Sequence, residues 1–323
     1  MTTMTPAKVQ KLFDLFEALM QEYERRHAEL NREQERSVLQ ALSTMAMQIK
    51  ADTAKIPIGL RGSRYEKQTL EVIDEYMSEF WGGRYPRHLD AAIRAGAQEV
   101  ADRESEIFRL MERPGLGPSV PHVVSATRES VYGATHGTAE TLTTRVARNG
   151  VRTKQEVLDG VRERIRRGET RAQIDRYVTE QLTAPGVDNV RYRTLRIIRT
   201  EFANASRTAH KLAVIDYNGD LRNGVRAIGW RLSPAHPRVD ICDMWASQDI
   251  DGVGAGNYYP ANLPPGHPNC LCLTVTIMDL PGAPEMQWVE AHPDQVSAGQ
   301  KRYYERVQIT HIRKDRRQRR RRF

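Results

Sequence analysis

All three cysteines of the chain, Cys242, Cys270 and Cys272, fall in one short stretch that also carries His267. Thiolate and imidazole are the borderline-soft donors that zinc takes in closed tetrahedral sites, so these four residues read as a structural metal centre with zinc as its cofactor. Cys270 and Cys272 are two apart, which puts their side chains on one face if the backbone there is extended. The Pro264-Pro265-Gly266 turn and Pro268 restrict the chain on either side of His267 and reduce the entropy lost in placing it. Cys242 closes the site from the other end of the loop. The spacing lacks paired CxxC knuckles, because Trp245 stands three residues after Cys242. If His267 faces away, Asp240 or Asp243 offers a carboxylate as fourth ligand. Two other readings fit the same thiols: small buried hydrophobes, or a disulfide between Cys242 and one of the other two.

Catalytic residue types gather in the same region. His210, His236, His267 and His292 accompany Glu201, Asp240, Asp243, Asp249 and Asp251, which allows a zinc-dependent nuclease or hydrolase acting on nucleic acid through His267 or His210. The order of residues does not favour it. There is no HExxH, phosphate loop, nucleophile elbow or helix-opening GxGxxG. The glycine-rich run 252–256 leads into Asn257-Tyr258-Tyr259-Pro260 and reads as a flexible loop.

The net charge of +8 is concentrated at one end, where Arg313, Lys314, Arg316, Arg317, Arg319, Arg320, Arg321 and Arg322 face only Asp315. Such a block repels itself, is expected to be disordered when free, and neutralises several phosphates at once, so it implies non-specific contact with double-stranded DNA. An apolar fraction of 39% supplies cores for two or three domains. No run reaches the length of a membrane span and the N-terminus carries no secretory pattern, which implies a protein made in the cytoplasm with no membrane partner. An odd number of cysteines argues against a disulfide framework.

The elements that must position these residues are mostly helices. The first forty-five residues read as one helix, capped by Thr5 with Pro6 in its first turn and carrying a stripe of Val9, Leu12, Phe13, Leu15, Phe16, Leu19, Met20 and Tyr23. Its middle, 24–36, is too polar for core, so it either packs at both ends or projects to dock on another protein. A second helix starts at Ser63, with Glu66 completing a capping box, and is stopped by Trp81-Gly82-Gly83. A third covers 86–111 before the linker 113–118, and 119–148 reads as helix. Thr153 with Glu156 and Thr170 with Gln173 cap two short helices separated by Gly168, a hairpin whose arginines at 162, 164, 166, 167, 171 and 176 also allow a DNA-reading role. A single central helix covers 190–217, with Arg199, Ala203 and Arg207 on one face. Strands are expected at 225–232 and 273–278. The fold class is mainly α with a small α+β C-terminal domain, its short antiparallel strands set around the Cys/His cluster. The divisions are a helical domain 1–118, a helical middle 119–187, the α+β domain 188–290 and a basic extension 291–323.

The order Arg199-Thr200-Glu201, Trp230, Cys242, Asp251-Gly252 and then His267-Pro268-Asn269-Cys270-Leu271-Cys272 resembles the Mu F-like minor head (head morphogenesis) family of tailed bacteriophages, over residues 188 to 280. Trp245 departs from that pattern where a second cysteine is usual, and Leu271 where arginine is common. The resemblance implies a minor capsid protein in the capsid interior or neck of the virion, present in several copies at the portal vertex. It implies the phage portal protein, DNA, and the major capsid or scaffolding protein as partners.

Overall fold

Apolar residues recurring at three- and four-residue intervals dictate helix through most of the chain. The computed structural model describes residues 6–57, 63–110, 118–133, 140–218, 225–233, 236 and 239–278, and among these it is mainly helical with one small antiparallel sheet. Thr5, the linker 113–117, His292, the extension 291–323 and the arginines from 313 to 322 lie outside the described residues.

Helix α1 runs Pro6–Ala54, longer than its sequence stripe. Its polar middle is not a bare span. Tyr23, His27 and Asn31 are buried there, and some of the polar groups find partners: His27 Nδ1 lies 3.1 Å from Glu99, and Glu35 accepts two 2.7 Å hydrogen bonds from Arg199, while the Tyr23 hydroxyl has no hydrogen-bond partner. Such partners offset the cost of burying polar groups. The helix lies against its own neighbours from this section to its C-terminal end, while Leu15, near its start, is 41% exposed.

Helix α2 (Ser63–Glu79) is not stopped by the glycine pair. The chain stays right-handed through a π-helical turn, Phe80–Arg84, and continues as α3 (Tyr85–Leu110). Packing outweighs the weak helix propensity of Gly82 and Gly83, because Trp81 meets Tyr85 at 4.8 Å and Phe80 at 5.6 Å between ring centroids. The segment 119–148 divides into α4 (Val120–Gly133) and the start of α5 (Leu142–Arg166). Thr141 caps α5, so the Thr153/Glu156 pattern is interior to a helix and Thr153 is buried. Gly168, at φ +78°, closes α5, and Thr170 with Gln173 forms the expected capping box of α6 (Arg171–Thr183).

Helix α7 (Val190–Asn218) is the spine, touching α1, α3, α4, α6 and the sheet. Its small residues permit the approach of α3: a Cβ at Gly96 would lie 2.8 Å from both the Phe202 carbonyl and Ser206 Oγ. One apolar cluster runs from Val38 to Ala205 and draws on residues either side of 118 and of 187.

The sheet has the order β2-β1-β3, from β1 (Val225–Arg231), β2 (Asn257–Tyr258) and β3 (Leu273–Met278), antiparallel throughout with Trp230 opposite Thr274. Leu273, Val275 and Ile277 join Ala97, Val100 and Ala101 of α3 and Ala209 and Ala213 of α7 in a second cluster. Buried polar groups tie the same elements. Arg103 of α3 stacks 4.0 Å over the Tyr23 ring, bonds to Glu104 and donates to the Thr274 carbonyl, while Thr276 donates to Glu104.

Candidate metal centre

Two segments deliver the thiols. The seven-residue helix α8 (Ile241–Ser247) is set by a capping box in which Asp240 accepts from the Cys242 amide and Asp243 accepts from the Asp240 amide. This turns Cys242 inward, where it is fully buried. The second segment is the turn before β3. Asn269 takes a left-handed φ of +63°, the Cys270 amide donates to the His267 carbonyl, and the Asn269 amide donates to Thr200 on α7. Cys270 and Cys272 leave that turn with both side chains buried.

The three sulfurs lie within 4.8 Å of one another, with Cys242 and Cys270 3.5 Å apart. Thiolates about 2.3 Å from a tetrahedral zinc sit about 3.8 Å from each other, so the donor set fits such an ion. The sulfurs are too far apart for a disulfide of about 2.05 Å, and all three cysteines are free. The small-hydrophobe reading accounts for their place in a cluster with Trp230, Trp245 and Tyr258, but not for three sulfurs converging on one point.

Two histidines flank them. His267 Nε2 lies 3.0 Å from Cys242 Sγ and 3.3 Å from Asp240, and His236 Nδ1 lies 3.8 Å from Cys272 Sγ. Of the four residues expected from the sequence, the three cysteines form one group, while His267 shares a second group with Cys242 and Asp240, and Asp243 a third with His236 and Asp240. The sequence reading did not assign His236 to the metal; it lies six residues before Cys242, outside the HPxCxC turn, and nothing in its spacing marks it as a donor.

Arg207 was missed as well, although its four-residue spacing put it on one face of α7 with Ala203, which is buried. It is buried, its Nη2 lies 2.6 Å from Cys270 Sγ and 2.9 Å from the Cys272 carbonyl, and its guanidinium stacks 4.7 Å from the Trp230 ring. Thiol hydrogen bonds from Cys242 and Cys272, with the Arg207 charge, hold the Cys270 thiol well below its usual pKa, while the hydrogen bond to Cys270 pushes Cys242 up.

The remaining candidates are structural in their surroundings. His210 is fully buried, with Nδ1 2.7 Å from Thr274 Oγ1 and Nε2 2.9 Å from Thr276 Oγ1; burial and then the Arg103 charge lower its pKa well below 6.5. Glu201 is buried beside Arg145 and Asn204. Asp249 and Asp251 staple the glycine loop through the amides of Val253 and Tyr259, so the run read as flexible is a set of turns that feeds Asn257 and Tyr258 into the sheet. In the α5–α6 hairpin, Arg162 meets Glu66, Arg164 stacks on Tyr177 and Arg171 donates to the Ala54 carbonyl. Among the described residues no helix is long and apolar enough to cross a membrane. Compared with protein-family models, with curated proteins and with solved structures, the chain matches none.

Proposed function

We propose that the chain is a minor head protein of a tailed bacteriophage, a structural part built around a metal clamp, with a basic end that holds packaged DNA. The observation that carries the structural half is the meeting of Cys242, Cys270 and Cys272 below the surface, with Arg207 of α7 against the Cys270 sulfur. Zinc is the ion that three thiols and an imidazole suit, and its chemistry there is to cross-link α8, the turn before β3 and, through Arg207, the central helix. Burial of all three cysteines supports a clamp over a site open to substrate.

The virion half rests on the residue order from Arg199 to Cys272 and on the arginine run. In this reading several copies sit at the portal vertex, in the capsid interior or neck, against portal protein and against major capsid or scaffolding protein. Arg313, Lys314, Arg316, Arg317, Arg319, Arg320, Arg321 and Arg322 neutralise DNA phosphates without reading sequence. The test is assembly: the protein is expected to co-sediment with procapsids and to co-purify with portal protein, and failure in both removes the proposal. A nuclease reading would require metal-dependent plasmid cutting that His267→Ala abolishes.

A further inference from the structure

Half of the large apolar side chains exposed among the described residues fall within 239–259. Val239, Ile241 and Met244 lead into and line α8, and Ile250 and Tyr259 follow it, at 40–62% exposed, while the other five are scattered from Leu15 to Ile215. Ile241 and Met244 are three apart and share a face of the helix. The loop that carries Ile250 folds back on the end of α8, where the Gly256 amide donates to the Gln248 carbonyl at 2.8 Å, and Asp251 holds the Tyr259 amide beside it. Single exposed apolar residues mean little, but a grouped apolar surface marks a place where a partner docks.

Charge identifies the partner. Residues 239–278 contain four aspartates and no Lys or Arg. Asp243 is buried, but Asp240, Asp249 and Asp251 reach the surface, where they hold backbone amides or face histidines and pair with no Lys or Arg among the described residues. The chain from 1 to 238 has the opposite sign, with 38 Lys and Arg against 31 Asp and Glu, and the excess is largest over 151–200, with twelve against seven. In that stretch Arg166 at the end of α5, Arg176 on α6 and Arg196 on α7 are exposed, with no ion pair among the described residues. The same stretch carries Val187 and Val151, at 84% and 66% the most exposed large apolar side chains described. Within one chain α8 packs on β1, whereas α5 packs on α2 and α6 on α1, so the two surfaces belong to different parts of the fold.

We infer that copies of this chain associate head to tail, the apolar and acidic surface of 239–259 on one copy docking against the arginine-rich α5–α6 hairpin and start of α7 on the next. Two copies joined by the same surface would set aspartates against aspartates, which their charge opposes. A contact between unlike surfaces leaves one of each free, so it adds copies in a row or closes them into a ring. The contact is independent of the virion reading, since it needs neither portal protein nor DNA.

Sedimentation velocity of the full-length chain, purified free of nucleic acid, tests this with no other component present. The wild-type chain is expected to associate with rising concentration, and to associate less as salt is raised from about 50 mM to about 500 mM and exposed charges are screened. Met244→Glu with Ile250→Glu alters one surface and Arg166→Glu with Arg176→Glu the other. Each double variant alone should weaken association about 100-fold, because like charges then meet across the contact. An equimolar mixture of the two should form a one-to-one complex through the single intact pair of surfaces, a result that also requires both variants to be folded. Deleting 313–323 should leave association unchanged. A wild-type chain that stays monomeric at every concentration would overturn the head-to-tail contact. So would association that survives the arginine reversals, which would join like surfaces, or association lost with 313–323, which would make the arginine run the occupant.

Discussion

The guanidinium of Arg207 lies 2.6 Å from the Cys270 sulfur, a positive charge set beside a thiol in a buried site. Hydrogen bonds to charged groups contribute about 1.5–3 kcal/mol each. Arg207→Met is expected to lower the unfolding free energy by about 2 kcal/mol or more, read as a fall in urea midpoint. Arg207→Lys should not restore it, because a point-charge ammonium cannot serve Cys270, the Cys272 carbonyl and the Trp230 face together. An unchanged midpoint in Arg207→Met would separate the arginine from the thiol cluster.

The same guanidinium explains a glycine. A Cβ on Gly266 would stand 2.0 Å from Arg207 Nη1 and 2.7 Å from Asn204 Oδ1. Gly266→Ala should destabilise by about 1–3 kcal/mol, the usual cost of overpacking. Gly82→Ala is the control: a Cβ there meets nothing within 4 Å, and replacing a helical glycine should stabilise by up to about 1 kcal/mol. Equal effects in thermal melts would contradict the close approach at Gly266.

His210 gives the fold an acid sensitivity. Burial holds its folded pKa well below 6.5 while the unfolded chain titrates normally, so below about pH 6.5 the unfolded state binds the extra proton. Stability therefore falls as pH drops through that value and is unaffected by this group above it. One proton corresponds to a slope of at most about 1.4 kcal/mol per pH unit. The difference in unfolding free energy between wild type and His210→Gln should shrink as the pH falls from 7 to 5. A difference constant with pH would mean that His210 does not titrate in this way.

DNA binding should depend on the arginine run and not on the α5–α6 hairpin, whose Arg162, Arg164 and Arg171 are engaged within the fold. Deleting 313–323 is expected to abolish most retention in a gel shift and to flatten the dependence of log K on log salt, since each phosphate neutralised contributes about −0.9 to that slope. Retention that survives the deletion with sequence preference would favour the hairpin.

What the sequence made legible was local chemistry. The Thr170/Gln173 box, the turn at Gly168, helix α7 and the strand at 273–278 all follow from short-range rules. What it hid was long-range compensation. Gly82 and Gly83 look like a stop because the aromatic contacts that carry the helix past them come from folding, and the middle of α1 looks too polar because Glu99 and Arg199 are far along the chain. Thr153 and Glu156 imitate a start because a capping pattern carries no information on whether helix already precedes it. The thiol cluster was legible as a set, since its members are the only cysteines present. Arg207 was not, because an arginine on α7 acquires its role only when that helix and the turn before β3 meet.

The central claim is that Cys242, Cys270 and Cys272 hold a metal ion. Its most direct test is elemental analysis of the full-length protein purified without chelator, alongside the variant with all three cysteines changed to serine. One zinc per chain in the first and none in the second is the expected result. No metal in the wild-type protein, with all three thiols open to a thiol reagent in the native state, would contradict it.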